Sequence, residues 1–141
     1  MSINIHETKE KDFEEISALF RDTNLRDSYF TKNKFRKMLD RNRGYCYVVE
    51  DQGKIVGSIF ATHDGAFRGY IQKVVVATEY RRQSVASRLL ETVIRKFEEA
   101  EIPLIFSHVE KNNRPSIELL KKLGFKVRDS HYLIDRCYKP R

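Results

Sequence analysis

The sequence has no tryptophan, two cysteines and three prolines. Cys46 and Cys137 stand far apart with no metal-type neighbours, which excludes a disulfide framework or a structural zinc site and fits reduced thiols. No apolar run approaches the roughly 20 residues that a membrane-spanning helix needs. The opening MSINIHETKEKD lacks the apolar core of a signal peptide, so secretion is not expected and a cytoplasmic protein is. Repeats, low-complexity tracts and linkers are also missing. What is present is a chain of 141 residues with 40% hydrophobic and 33% charged residues. That balance predicts one soluble domain over residues 1–141, large enough to bury well over half of its unfolded surface. The net charge is +7 with a pI near 9.5, which favours anionic partners without naming one. Lysine and arginine occur in nearly every segment, the distribution of a solvated surface.

In chain order, Ile3 to Glu7 alternates apolar and polar residues and reads as a half-buried strand. A helix follows with Phe13, Ile16, Leu19 and Phe20 on one face, and Asp12 with Glu15 forms a candidate capping pair at its start. Lys34 to Arg41 places Phe35, Met38 and Leu39 on one side of a second helix. Tyr45 to Glu50 and Lys54 to Ala61 are β-rich runs joined by Asp51, Gln52 and Gly53, the pattern of a hairpin. His63 and Asp64 belong to a turn that ends in Gly69; adjacent residues at a strand end point apart, so they read as turn chemistry and not as a catalytic pair.

Ile71 to Ala77 is a β-branched run expected to be covered on both faces. The charged turn Thr78 to Ser84 comes next. Beyond it Val85, Ala86, Leu89, Leu90, Val93, Ile94 and Phe97 recur at the spacing of one helix face. A strand entering a helix through a tight turn leaves backbone N–H groups unpaired at the helix start, where a phosphate is well held. Arg81 and Arg82 add charge to that geometry. Ile102 to Glu110 reads as another strand. Asn112 to Phe125 reads as a short helix, capped by Asn113 and ended by Gly124. Phe125 to Arg128 and His131 to Tyr138 are expected as two last strands.

RRQSVA (Arg81 to Ala86) resembles the R/Q-x-x-G-x-G/A turn of the GNAT N-acetyltransferases, with Ser84 where the family prefers glycine. VEKNNRPSIELLKKLGF resembles a second motif of that family, with Val109, Asn113, Ser116, Leu119, Lys122, Gly124 and Phe125 on its positions. The order of elements is similar to the family's along nearly the whole chain. GSIFATHDGAFRGYIQKVVV is similar to the strand-turn-strand of small bacterial acetyltransferases of the ribosomal-protein and YpeA-like groups.

The resemblance implies an α+β fold: a central mixed sheet of about six to seven strands, antiparallel at the start and parallel at a central splay, flanked by four helices. It implies acetyl-CoA as cosubstrate and no metal. The pyrophosphate would lie on the turn of Arg81, Arg82, Gln83, Ser84, Val85, Ala86 and Ser87. The pantetheine arm would lie along Val74, Val75 and Val76, with Asn113 as a further polar contact. The reaction would be direct attack of a primary amine, on a protein or peptide N-terminus or a small molecule, at the thioester carbonyl. The tyrosine that often serves the family as acid is replaced here by Leu120. The glutamate of several members falls close to Tyr70, which leaves Glu110 and Tyr132 as candidate base and acid. Without an evident base, an α-amine with a pKa near 8 suits the site better than a lysine near 10.4. The competing reading is a non-catalytic module on the same fold that binds CoA, or nucleic acid or protein through its charge. No helix of the sequence shows a concentrated basic face or an aromatic stacking series. Nucleic acid and membrane are therefore not expected as partners; a monomer or homodimer is.

Overall fold

The computed structural model describes residues 3–82 and 84–138. These form two compact units, 1–108 and 109–141. The first unit is built on one five-stranded sheet in the order β1-β2-β3-β4-β5. Strands β1 (Ile3–Glu7), β2 (Cys46–Asp51), β3 (Lys54–His63) and β4 (Arg68–Val76) pair antiparallel in succession, whereas β5 (Leu104–Ser107) joins β4 in parallel. The β2–β3 hairpin turns on Gln52 and Gly53, both with positive φ (52° and 79°). Two left-handed residues match the twist of the flanking strands, which is why this short polar turn makes a hairpin.

Helices cover both faces of the sheet. On one, Ile16, Leu19 and Phe20 of α1 (Phe13–Asp22) and Phe35 of α2 (Lys32–Arg41) pack with Cys46, Val48, Ile55, Phe60 and Val75. Phe30, in the connection between these helices, lies 4.9 to 5.9 Å from the rings of Phe20, Phe35 and Phe60, so the connection is anchored to the core by an aromatic cluster. On the other face α3 (Val85–Glu99) buries Val85, Leu89, Leu90, Val93 and Phe97. It sits close to the sheet because two strand residues are glycines: a Cβ on Gly57 would stand 3.0 Å from Val85, and one on Gly69 would stand 2.4 Å from the Phe97 ring.

The mixed α/β architecture matches expectation, but three local readings are corrected. Asp12 and Glu15 form no capping pair: the Asp12 carboxylate accepts from the Lys9 N–H at 2.8 Å, and Glu15 accepts from the Ile55 N–H at 3.0 Å, binding α1 to the hairpin. β5 is four residues long, much shorter than Ile102 to Glu110. The strands expected at Phe125 to Arg128 and His131 to Tyr138 are not formed among the described residues, so the sheet has five strands instead of six or seven. Alternating apolar and charged residues satisfy the strand pattern, but a strand also needs a ladder partner. The second unit contains α4 (Arg114–Lys122), capped by the Asn113 side chain, which accepts from the Ser116 N–H at 3.4 Å.

Candidate active site

Beyond Val76 the chain makes a single 3-10 turn, Thr78–Tyr80, before entering α3. The turn is tied down from both sides. The Tyr80 hydroxyl donates to the Asp51 carboxylate at 2.5 Å, and the Arg81 Nε donates to the Val76 carbonyl at 3.4 Å. Arg82 and Ser84 both hold left-handed backbone, φ 64° and 65°. Ser84 stands where a glycine would carry that conformation without strain. Its side chain makes no capping hydrogen bond, and the first turn of α3 has no acidic residue. The helix therefore starts with its N–H groups and the positive end of its dipole facing outward beside exposed Arg81, Arg82 and Ser84, a donor set that fits an anion such as a diphosphate. Val85 is buried against Gly57, while Ala86 and Ser87 are half-buried. Gln83 lies outside the described residues.

The sheet opens next to this turn. β4 pairs with β3 from Gly69 to Val76, with a register break opposite Gln72, but with β5 only from Arg68 to Ile71. A bulge bends its strand and sharpens the twist, and the β4–β5 ladder ends at that point. From Gln72 onward the side of β4 turned away from β3 has no partner strand among the described residues. Val74, Val75 and Val76 therefore offer backbone amides along a free edge, the surface on which an extended amide chain adds as another strand. Val75 is itself buried in the core, and Val74 and Val76 are half-buried.

Where the two strands part there is a cleft of about 290 Å³ lined by Tyr70, Ile71, Gln72, Phe106, Ser107 and His108. The Ser107 hydroxyl donates to the Ile71 carbonyl at 3.3 Å and closes the last gap of the ladder. Tyr70 stacks on Phe106 with centroids 5.6 Å apart. The Gln72 amide donates to the Thr62 hydroxyl at 3.0 Å. His108, exposed at the exit of β5, is the titratable ring that the sequence reading passed over. Its position at the carboxyl end of a parallel strand, where open sheets hold ligands, is the signal that marks it. One residue beyond Gln72, Lys73 pairs with Asp27 of the α1–α2 connection at 2.9 Å. Partial burial opposes ionisation of Asp27, but hydrogen bonds from Lys73 and the Tyr29 N–H hold its carboxyl below the usual range.

His63 and Asp64 behave as turn residues. Asp64 Oδ1 accepts from the N–H groups of Ala66, Phe67 and Arg68 at 2.7 to 3.1 Å, and His63 Nδ1 accepts from that of Gly65 at 3.0 Å. In the second unit the Glu110 carbonyl accepts from the Asn113 N–H at 2.9 Å and its side chain is exposed. Tyr132 is 93% exposed. The Leu120 carbonyl accepts the N–H groups of Leu123 and Phe125, a helix end. Among the described residues no cluster of side chains is suited to a metal ion.

The family model described as "Acetyltransferase (GNAT) family" matches residues 7–125. N-alpha-acetyltransferase MAK3 of Arabidopsis thaliana is 32% identical over 83 residues, 57% of this chain and 44% of that protein. The N-terminal acetyltransferase B complex catalytic subunit NAA20 of the same plant is 31% identical over 103 residues, 68% of this chain and 58% of that protein. The chain thus spans about half the length of these curated relatives. The solved structure of Arabidopsis thaliana Naa50 in complex with the bisubstrate analogue CoA-Ac-MVNAL superposes with a TM-score of 0.76 at 23% identity, over 92% of this chain and 86% of that one. At that identity the likeness is one of fold.

Proposed function

The chain belongs to the GNAT acetyltransferase family, and from that premise we propose that it transfers the acetyl group of acetyl-CoA to a primary amine, preferentially the α-amine of a peptide or protein N-terminus. The observation that carries this reading is the open edge of β4 running into the uncapped start of α3. A linear diamide beside a diphosphate matches that run of groups. In this assignment the backbone from Arg82 to Ser87 and the Arg81 and Arg82 side chains hold the diphosphate. Val74 to Val76 pair with the pantetheine amides, and the cleft between Tyr70 and His108 receives the thioester and the amine. Asn113, in the second unit, caps α4. The whole chain works as one transferase domain, in keeping with a family match that runs through both units.

The neutral amine attacks the thioester carbonyl; the N–C bond forms, the C–S bond breaks, and the amine proton must leave as the thiolate is protonated. An imidazole can both accept and donate a proton and His108 lines the cleft, so His108 replaces Glu110 as the base of choice, and solvent reaching the open cleft returns a proton to the thiolate. A single base of this kind suits an α-amine near pKa 8 better than a lysine near 10.4.

Acetyl-CoA at about 100 times its Kd should raise stability by about 2.7 kcal/mol. Ala86→Glu should abolish that rise by placing a carboxylate against the phosphates. His108→Gln should lower kcat about 100-fold and leave the KM for acetyl-CoA unchanged. A peptide with a free N-terminus should be acetylated faster than one offering only an internal lysine. Normal acetyl-CoA binding by Ala86→Glu would refute the diphosphate turn, and a lysine preference would refute the amine assignment.

A further inference from the structure

Cations occur throughout this chain, but their excess gathers in two stretches, residues 111–141 with nine lysines and arginines against three acids, and residues 21–43. Residues 21–43, about a sixth of the sequence, hold eight lysines and arginines against three aspartates and so carry +5, and of the two stretches this is the one tied to β4. By contrast α3 carries three cations and three acids. On α2 the side containing Phe35, Met38 and Leu39 is buried or half-buried, and Lys32, Lys34, Arg36, Lys37, Arg41 and the following Arg43 are all exposed, so this helix carries the basic face that the sequence pattern was not expected to form. Two of the three aspartates are already engaged, Asp27 by Lys73 at 2.9 Å and Asp40 by Arg43 at 3.3 Å. A cavity of about 620 Å³ runs along the α1–α2 connection, lined in part by Arg21, Arg26, Asp27 and Phe30. This segment is not remote from the proposed chemistry. The Asp27–Lys73 pair joins it to β4 one residue from Gln72, a wall of the cleft.

We infer that the α1–α2 segment selects the acceptor by charge, favouring an amine whose following residues are acidic. The inference rests on the transferase reading of the cleft. A chain entering the cleft amine-first must leave across the surface beside it, and the cationic connection and α2 adjoin that surface through β4. Nucleic acid also meets a cationic helix, but the link to the cleft gives the charge a role in acceptor choice that a remote docking surface would not have. Exposed ion pairs are individually weak and screened by salt, so the selection is cumulative and ionic-strength-dependent.

The test uses the full chain, acetyl-CoA and peptides that share a free N-terminal residue and carry three glutamates, three glutamines or three lysines from the third position on. At low ionic strength the glutamate peptide should exceed the lysine peptide in kcat/KM by about tenfold or more, and the ratio should shrink towards one at high salt. The variant Arg26→Glu/Arg36→Glu/Lys37→Glu should reverse the order while keeping its acetyl-CoA thermal shift, which reports an intact fold. Lys54→Glu/Lys126→Glu, exposed cations elsewhere, should leave the order as it was. Equal rates for the three peptides, or an order unchanged by the first variant, would overturn the inference while the transferase reading stands. So would salt-sensitive binding of an oligonucleotide together with equal peptide rates. Acetylation of no amine at all would bring down both.

Discussion

Replacing Ser84 by glycine puts the diphosphate turn to a quantitative test. Ser84 holds φ 65° and its side chain caps nothing, so glycine removes strain and forfeits no hydrogen bond. A non-glycine residue in the left-handed region costs about 1–2 kcal/mol. Against this, glycine widens the unfolded ensemble by about 0.5–1 kcal/mol. The net expectation is a gain of about 0.5–1 kcal/mol. For 141 residues at about 2.1 cal/mol/K each, the unfolding entropy is about 0.3 kcal/mol/K, so Tm should rise by about 2–3 °C. Ser84→Ala keeps the strain and should leave Tm within about 1 °C of the parent. In the same assay with acetyl-CoA, the ligand-induced shift of Ser84→Gly should equal or exceed that of the parent, because in the proposed site the turn approaches phosphate through backbone. A lower Tm for Ser84→Gly, or a large loss for Ser84→Ala, would show that the hydroxyl supports the turn and would refute the reasoning.

Gly69→Ala would drive a methyl into the Phe97 ring, which is fully buried. Overpacking of about 1–3 kcal/mol should lower Tm by several degrees, and a double-mutant cycle with Phe97→Leu should show favourable coupling. The Cys46 thiol is pushed up to about 11 by burial. Unfolded cysteine, with a pKa near 9, releases its proton first. Stability is therefore full below about pH 9, falls by up to about 1.4 kcal/mol per pH unit between about 9 and 11, and then levels; chemical denaturation against Cys46→Val, which lacks that thiol, isolates the slope. Tyr80→Phe removes the donor to Asp51, whose other carboxylate oxygen is buried without a partner among the described residues. It should lower Tm and raise the KM for acetyl-CoA with kcat little changed, a split that steady-state kinetics resolves.

The parts of the fold legible in the sequence are those set by local physics. Gln52–Gly53 specifies its hairpin, the spacing from Val85 to Phe97 specifies the buried face of α3, and Asn113 specifies a cap. The start of β4 was hidden because Gly69 reads as the end of a turn; its role, admitting the Phe97 ring, exists only once α3 is in place. Asp12 and Glu15 had the spacing of a capping pair, yet backbone donors from Lys9 and distant Ile55 claim them. The turn proposed to hold the diphosphate was singled out by its arginines and small residues. The cleft, a place where two strands part, was expected only as the splay that the resemblance implies and had no signal of its own in the residue pattern. Nothing in the pattern around Ser107 and His108 tells how far a parallel ladder will run, and the bulge at Gln72 appears only against the register of β3.

The brevity of the β4–β5 ladder also shapes how the protein breathes. β5 hangs from its neighbour by a few residues at the border of the sheet, with the Ser107 hydroxyl as its last clasp, while β3 is held along both sides. Amide protons of Ile105 to Ser107 should therefore trade with solvent deuterium well before those of Val56 to Phe60, producing a gradient of protection across the sheet. The fraying border is the one beside the proposed acyl cleft, so opening there should leave the rest of the core undisturbed.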